Sequence, residues 1–406
     1  MRRRYCRLIF AYVGGFLVLF GGARIETALA NDYQVNPSGA GGAFTSIQAA
    51  INAVPAGTAA NRSNIFIAPG IYTETMGANG NLNVNKPFIT LVGQGATPAD
   101  VVVQNSVGGL TGSTRLQSSA SDFMATNLTF KSTVGDNNGV GLALRNSADR
   151  SAFKNVRFVG FQDTLLAENR VRQYYLDCYV TGDTDFIFGS ATAVFENSVI
   201  NSTSGGYVTA AETPATQAVG FVFLNSSLTA IGPPGAGANS VFLGRPWHWP
   251  AAEGGSKASV TYINTKMGSH VRTVGWDPWN GAGGIAVNPD PDGATRYSEF
   301  NSMDLAGNPL AVDGNGVPVG RVSWADPMTA TQAAAFTLAN IFSGPGFWNA
   351  NPQLQPEFIG PYTQQSSVTP WDPRQSLAAL PPIPEPSTIA LLVAATVVMN
   401  TVRRKR

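Results

Sequence analysis

The sequence predicts an all-β protein that folds as a parallel β-helix, a solenoid in which each coil of strands stacks on the previous one. The main observation is a recurring pattern: an aromatic residue, any residue, Asn or Asp, and an apolar residue three positions later. The pattern occurs as FKNVRF (153–158), YLDCYV (175–180), FENSVI (195–200) and FLNSSL (223–228), with a variant lacking the aromatic residue, TNLTF (126–130). From Asn127 onward, the Asn or Asp positions are separated by 28, 22, 20 and 28 residues. Such irregular steps indicate coils whose loops differ in length.

The composition agrees with this fold class. The 406 residues include 44 Gly and 26 Pro, which favours frequent turns, and charged residues make up only 13% of the chain. A β-sandwich also has many short strands, but its turns come every ~8–12 residues without an Asn that returns at one corner. Two stretches with helical spacing of apolar residues flank the repeats, FTSIQAAINAV (44–54) and TATQAAAFTLANIF (329–342). We expect them to form short helical caps over the open ends of the solenoid.

The N-terminus has the features of a secretory signal peptide. Residues 1–7 are basic, residues 8–20 are mostly apolar, and the tripeptide Ala28–Ala30 provides an A-x-A cleavage site. We therefore expect residues 1–30 to be removed on export, which makes Asn31 the first residue of the mature chain. The alternative is an N-terminal anchor that is not cleaved.

The C-terminus, PIPEPSTIALLVAATVVMNTVRRKR, resembles a bacterial PEP-CTERM sorting signal. Its apolar run, 389–399, is shorter than the ~20 residues of a transmembrane helix, which favours a transient sorting segment over a permanent anchor. The resemblance implies cleavage by an exosortase-type membrane enzyme, so we expect the mature protein at the cell envelope or outside the cell. The predicted organisation is a β-helix domain at 31–362, a linker at 363–383 and the sorting signal at 384–406.

Charge and rare residues disfavour several function classes. Lys and Arg total 26 against 25 Asp and Glu, so the formal net charge of +1 gives no indication of nucleic-acid binding. Only two His are present, His248 and His270, and no G-x-S-x-G motif accompanies them, which argues against a Ser-His-Asp hydrolase. Clustered His or Cys are also missing, and we expect neither a metal nor a cofactor. Because Cys6 belongs to the signal peptide, Cys178 is the one Cys of the mature chain, and we expect a small buried residue there.

The acidic motifs FQDTLL and GDTDFIFG carry the candidate chemistry. Asp163 lies eight residues after Asn155, and Asp185 lies eight residues after Asp177, so both occupy the same place in consecutive coils. Neighbouring parallel strands lie about 4.8 Å apart. Two carboxylates at that spacing do not both ionise easily, so the pKa of one rises while the other stays charged. Such a pair can supply an acid and a nucleophile; the alternative is that one Asp only caps a turn.

Together with other motifs in the same order, these two motifs resemble the pectin methylesterases. The other motifs are PGIYTE (69–74), LGRPW (243–247), VGWDPWN (274–280) and TRYSEF (295–300). The resemblance covers about residues 33–350 and implies a right-handed parallel β-helix that hydrolyses the methyl esters of galacturonate in pectin. We expect a monomer. In PGIYTE, Tyr72 and Glu74 are expected to stabilise the fold.

The resemblance also assigns roles to individual residues. Asp185 is the expected nucleophile, and Asp163 is the expected acid that protonates the leaving methoxide and later accepts a proton from water. Gln162 is expected to donate its amide to the oxyanion. The other expected site residues are Arg245, which holds Asp185 ionised and oriented, and Trp247 and Phe188, which line a sugar-binding groove.

One position departs from the family pattern. In NGVGLALR (138–145), where relatives usually carry a second oxyanion-hole Gln, this chain has Val140. Loss of one oxyanion donor typically lowers kcat by ~10²–10³. The alternative to an active esterase is therefore a catalytically silent β-helix that binds acidic polysaccharide at the cell surface. A lyase or glycosidase on the same solenoid is a further alternative, because paired acids also serve glycoside cleavage.

Overall fold

The strands of this computed structural model wind into a right-handed parallel β-helix, as the sequence predicts. The structure describes residues 32–74, 81–135, 139–232, 235–247, 257–279, 295–363 and 370–383. The predicted signal peptide and the predicted sorting signal lie outside these residues. Within the described ranges, no helix is long and apolar enough to span a membrane.

Two parallel sheets form the walls of the solenoid. The smaller one, here called the groove sheet, takes one short strand from each successive coil: β4 (Leu82–Val84), β7 (Thr114–Leu116), β9 (Leu144–Asn146), β11 (Leu165–Ala167), β14 (Ile187–Gly189), β17 (Gly206–Ala211) and β20 (Val241–Pro246). The larger, 18-stranded sheet bends around the other two sides: β1 (Asp32–Val35), β2 (Ser63–Ile67), β3 (Gly70–Thr73), β5 (Ile89–Gly93), β6 (Val101–Asn105), β8 (Met124–Ser132), β10 (Ser151–Val159), β12 (Arg172–Leu176), β13 (Tyr179–Gly182), β15 (Thr192–Glu196), β16 (Val199–Ser202), β18 (Phe221–Leu224), β19 (Ser227–Thr229), β21 (Ser259–Ile263), β22 (Lys266–Met267), β23 (Arg296–Phe300), β24 (Met303–Asp304) and β25 (Asp326–Pro327).

The Asn and Asp positions of the repeat lie at one corner of the solenoid, as predicted. Each has a left-handed backbone conformation, with φ between 51° and 55° at Asn127, Asn155, Asp177, Asn197, Asn225, Asn264 and Asn301. The last two are not part of the repeat identified in the sequence. Asn and Asp tolerate this conformation better than other residues with a Cβ, which explains their choice at the corner. Side chains also connect coils, because the Asn155 amide donates to Asn127 Oδ1 at 3.1 Å.

The aromatic residues of the repeat stack on one another inside the solenoid. Ring centroids are 4.8 Å apart for Phe153 and Tyr175, 4.5 Å for Tyr175 and Phe195, and 4.9 Å for Phe195 and Phe223. Tyr262 continues the stack, 4.5 Å from Phe223. These distances match the spacing of neighbouring strands, so each coil contributes one ring. Each stacked pair adds about 0.5–1.5 kcal/mol beyond the burial of its apolar area.

Cys178 belongs to the same apolar core. Its side chain is 2% exposed, and burial raises the pKa of its thiol to about 12. A thiol that stays protonated at neutral pH is a poor nucleophile, so Cys178 serves as a small buried residue, as expected.

Helix α1 (Ile47–Ala53) packs on the core at the N-terminal end, where the sequence predicts a cap. Ser46 is its N-cap residue. Glu74 fixes the helix from the first coil, because its carboxylate accepts hydrogen bonds from the backbone N–H groups of Ile47 at 2.7 Å and Gln48 at 3.3 Å. The acid of PGIYTE therefore stabilises the fold by satisfying the free N–H groups of a helix start.

The C-terminal helices differ from the prediction in position. The stretch 329–342 forms two short helices, and a third follows: α2 (Ala330–Ala335), α3 (Leu338–Ile341) and α4 (Pro345–Ala350). They form one apolar cluster with Tyr174, Val194 and Val222, so they cover a face of the 18-stranded sheet rather than its open end. Alternate side chains of a strand point to opposite faces, and these apolar ones point away from the solenoid interior, so this face requires cover.

The predicted linker at 363–383 also contains ordered structure. Helix α5 (Pro373–Ala378) follows Trp371, whose buried ring belongs to the same apolar cluster. Arg374 forms an ion pair with Glu196 of strand β15. The part of this segment around α5 is therefore docked on the solenoid, and Pro373 occupies the first position of its helix, where Pro is favoured.

Candidate active site

Asp163 and Asp185 lie on adjacent coils, directly before strands β11 and β14 of the groove sheet. Leu165 pairs with Ile187, which gives the offset of 22 residues seen in the sequence. The backbone N–H of Asp163 also donates to the carbonyl oxygen of Thr184 at 2.9 Å. This register places the backbones of Asp163 and Asp185 about one strand spacing apart, ~4.8 Å, along the solenoid axis. Both residues are buried, at 8% and 7% exposure.

A tight left-handed turn aims Asp185 away from the apolar core. Its φ is 51°, and the φ of Asp163 is 60°. Gly182 makes the turn possible, because a Cβ there would lie 2.5 Å from the carbonyl oxygen of Phe161. The residues after the turn return to the strand pattern, with Ile187 in the core. The motif GDTDFIFG can therefore place a carboxylate beside three apolar residues without burying it among them.

Arg245 on strand β20 binds Asp185 with both arms of its guanidinium. Nε donates to Asp185 Oδ1 at 2.9 Å, and Nη2 donates to Oδ2. The guanidinium carbon lies 3.9 Å from the ring centre of Tyr207 and 3.8 Å from that of Trp279. The ion pair and two cation–π contacts fix the plane of the guanidinium, a geometry that a Lys ammonium does not reproduce.

The two carboxyl groups have different electrostatic environments. Burial raises the pKa of Asp163 to about 7, the negative charge of Asp185 adds to the shift, and Arg245 opposes it. Burial also raises the pKa of Asp185, but there the hydrogen bonds and charge of Arg245 act in the opposite direction. Arg245 therefore favours the ionised form of Asp185, while Asp163 can carry a proton near neutral pH. The main cause for Asp163 is burial, not the neighbouring charge that the sequence suggested.

Gln162 and Val140 lie on neighbouring coils at the edge of the site. The backbone N–H of Gly141 donates to the carbonyl oxygen of Gln162 at 3.3 Å, which ties the two segments together. The Gln162 amide makes no hydrogen bond to the described residues and is free to donate to a ligand. Val140 is half-buried and packs against a small apolar cluster that contains Phe188.

A groove lies over the groove-sheet strands that follow the two carboxyl residues, β11 and β14. The rings of Phe188 and Trp247 lie 5.8 Å apart and form one apolar surface with Leu166. The adjoining groove has a volume of about 450 Å³, and its polar wall contains Arg145, Glu168, Arg170 and Glu212. An apolar aromatic surface together with polar groups suits the ring and the hydroxyl groups of a sugar.

Several residues around the site were not predicted from the sequence. Tyr207 lies in none of the sequence motifs. Trp279 lies in the motif VGWDPWN, which contributes to the family resemblance but assigns no role to this residue. Asp183 contributes negative charge that raises the pKa of Asp163 further. Among the residues that the structure describes, no three His, Cys, Asp or Glu side chains form a cluster suited to a metal ion.

Comparison with known proteins gives consistent matches. A sequence profile of the pectinesterase family matches residues 32–344. Putative pectinesterase 11 of Arabidopsis thaliana is 35% identical over 317 residues, which cover 77% of this chain and 79% of that protein. The solved pectin methylesterase of Erwinia chrysanthemi has a TM-score of 0.61 and 26% identity, covering 78% of this chain and 97% of that one. A pectin methylesterase mutant solved in complex with a hexasaccharide has a TM-score of 0.60 and 26% identity, with 76% and 96% covered.

Proposed function

The chain belongs to the pectinesterase family of carboxylic ester hydrolases, and from this premise we propose that it removes methyl esters from galacturonate units of pectin. Asp185 serves as the nucleophile and Asp163 as the acid and base. Gln162 stabilises the oxyanion, and the apolar surface of Phe188 and Trp247 holds a sugar ring.

In the first half of the reaction, an oxygen of Asp185 attacks the ester carbonyl carbon, and the bond to methoxide breaks. Asp163 transfers its proton to the methoxide, so methanol leaves and the acyl group stays on Asp185. The pKa of about 7 leaves a substantial protonated fraction of Asp163 at neutral pH. The Gln162 amide donates a hydrogen bond to the carbonyl oxygen as it becomes negative.

In the second half, water attacks the acyl carbon. Asp163, now a carboxylate, accepts a proton from that water, and Asp185 leaves as a carboxylate. Arg245 stabilises the returning charge on Asp185, because its two donors are already in place. The products are methanol and galacturonic acid, whose carboxyl group then loses its proton to solvent, and the site returns to its starting protonation.

The observation that carries the proposal is that two neighbouring carboxyl groups are buried but only one of them, Asp185, is paired with a cation. A structural ion pair needs only Asp185 and Arg245. Asp163 adds a second buried carboxyl that makes no side-chain hydrogen bond to the described residues, which costs stability without a structural return. Methanol release from highly esterified pectin by the purified protein tests the proposal. Release above the no-enzyme rate is expected.

A second candidate function is a silent β-helix that binds acidic polysaccharide. Val140, in place of an oxyanion-hole amide, is the observation that favours it. Such a protein binds pectin without releasing methanol, so the same assay combined with a pectin pull-down separates the two functions.

Substitution of Val140 by Gln is expected to raise kcat on methyl-esterified oligogalacturonate by up to ~10²-fold. An added amide donor stabilises charge that develops in the transition state, so kcat should change more than KM. Because Val140 is only half-buried, the new amide can be hydrated in the free enzyme. Steady-state kinetics on one defined oligomer measure the effect.

The matched control is Val140→Leu, which enlarges the side chain without adding a donor and should not raise kcat. A folded Val140→Gln protein whose kcat equals that of the Leu variant would mean that another group already satisfies the oxyanion.

We also propose that the protein is exported, that residues 1–30 are removed, and that an exosortase-type enzyme cuts the tail near residues 384–386. The mature protein then acts as a monomer at the cell envelope or outside the cell. Mass spectrometry of envelope and medium fractions is expected to find a chain without the basic end at 403–406. An intact basic C-terminus in both fractions contradicts the sorting proposal.

A further inference from the structure

One row of outward-facing side chains crosses the groove sheet from coil to coil. The strand register aligns them in the order Asn83, Arg115, Arg145, Leu166, Phe188, Ala210 and Arg245. The flanking residues point inward, as the buried Leu116, Leu144 and Leu165 show. A linear ligand that lies along the solenoid axis therefore meets one residue of this row per coil.

The row of outward-facing side chains has an apolar part and a basic part. Leu166, Phe188 and Ala210 are apolar and lie on the coils that carry the carboxyl pair or follow it. Arg115 and Arg145 lie on the two preceding coils. Arg115 is two strand steps from the coil of Asp163, or about 10 Å.

The two arginines differ in their partners. Arg145 is neutralised, because Nε and Nη2 donate to the two carboxylate oxygens of Glu168 at 2.7 and 3.1 Å. The side chain of Arg115 makes no hydrogen bond or ion pair with the described residues, and its Nε is buried without a partner. Arg115 is thus a cation in the row whose charge nothing in the described structure balances.

Folding alone does not account for this arrangement. Arg115 and Arg145 pair directly across adjacent strands, but Glu168 balances the charge of Arg145 and leaves that of Arg115 uncompensated within the described residues. A buried donor and a charge without partners are expected where a residue serves binding rather than folding. A bound anion would balance this charge.

We propose that Arg115 binds the carboxylate of an unesterified galacturonate unit when a pectin chain lies along this row. The inference rests on the proposed function, since it places the ester to be cleaved at the carboxyl pair. A guanidinium fork can bind a carboxylate with two charge-assisted hydrogen bonds, and a methyl ester offers no negative charge to it. Arg115 therefore makes the enzyme favour chains that already carry a free carboxylate a short distance from the next ester.

The test compares wild type with Arg115→Gln. Calorimetry measures the Kd of an unesterified oligogalacturonate, and methanol release is measured on fully and partly esterified oligomers of equal length. The variant is expected to bind the unesterified oligomer about 10-fold more weakly. It should also lose activity on the partly esterified oligomer while keeping activity on the fully esterified one.

The matched control is Arg157→Gln, which removes the same charge from the 18-stranded sheet, where Arg157 lies over the ring of Tyr179. It should leave all three measurements unchanged. Unchanged binding in Arg115→Gln, equal losses on both esterified oligomers, or no binding of the unesterified oligomer to wild type overturns the proposal. If wild type binds the oligomer but releases no methanol, the proposed function fails, and the Kd comparison still decides the role of Arg115.

A second variant covers the case in which Arg115→Gln does not fold, as judged by thermal unfolding. Arg115→Lys keeps the charge and removes the fork, so it should bind the unesterified oligomer more weakly than wild type while its activity on the fully esterified oligomer is unchanged. A Lys variant with the wild-type Kd then overturns the proposal.

Discussion

Substitution of Asp185 by Asn should lower methanol release from pectin by at least about 10⁴-fold, because the amide cannot form the acyl-enzyme. Asn is a better choice than Ala here, since the φ of 51° favours Asn or Asp. The Asn oxygen can still accept one bond from Arg245, so the fold should be retained. Rates of methanol release and circular dichroism on the same preparations measure both effects.

Asp177→Asn is the matched control for this substitution. Asp177 has a φ of 53°, lies at the corner between β12 and β13 of the 18-stranded sheet, and occupies a position that Asn fills in the neighbouring coils. The same loss of one carboxylate should leave its methanol release at the wild-type rate. If Asp185→Asn were as active as Asp177→Asn, Asp185 would have no place in the mechanism.

Asp163→Asn should lower kcat by ~10²–10⁴, because it removes the general acid and base while leaving the nucleophile. It should also change the pH dependence of stability. The pKa of Asp163 is 3.8 as an ordinary carboxyl and about 7 in the folded protein, where burial raises it. Between these two values the folded state binds more protons than the unfolded state, so the free energy of unfolding of wild type falls as pH rises.

The variant lacks this dependence. Relative to wild type, Asp163→Asn should gain stability as pH rises from about 4 to 7, by up to ~4 kcal/mol, and keep that gain at higher pH. Urea unfolding at pH 4 and pH 8 measures the difference. An identical stability difference at both pH values would show that Asp163 is not held in its protonated form by the fold. Lower activity together with higher stability is the result expected of a residue retained for chemistry.

The sequence predicts the solenoid well because its corner requires a residue type that recurs visibly. Asn155 and Asp177 mark two corners, and counting from them places Asp163 and Asp185 on adjacent coils. Contacts between distant segments leave no such mark in the sequence. The rings of Tyr207 and Trp279 both contact the Arg245 guanidinium, and no spacing pattern singles out either residue. The row that contains Arg115 depends on strand register, which a one-residue change in loop length alters.

Helix position is also hard to predict from local pattern. The apolar spacing in 329–342 identifies helices correctly but does not say which surface they cover. Pro and Ser content around α5 favours a linker, yet Arg374 and Trp371 dock the segment. In each case the position of the helix depends on contacts with residues far away in the sequence. Arg374 and Glu196, for example, are separated by 178 residues.

The long sequence separation between α5 and the strands it covers implies an order in which the parts of the protein fold. Each coil contacts the coil before it, so the stack can grow by addition as the chain becomes available. Helix α5 follows all the strands of the solenoid in the sequence, and the apolar face around Tyr174 and Val194 stays open to water until α5 and the preceding helices dock. Until these helices dock, a formed solenoid therefore carries an exposed apolar strip, the kind of surface from which aggregation begins.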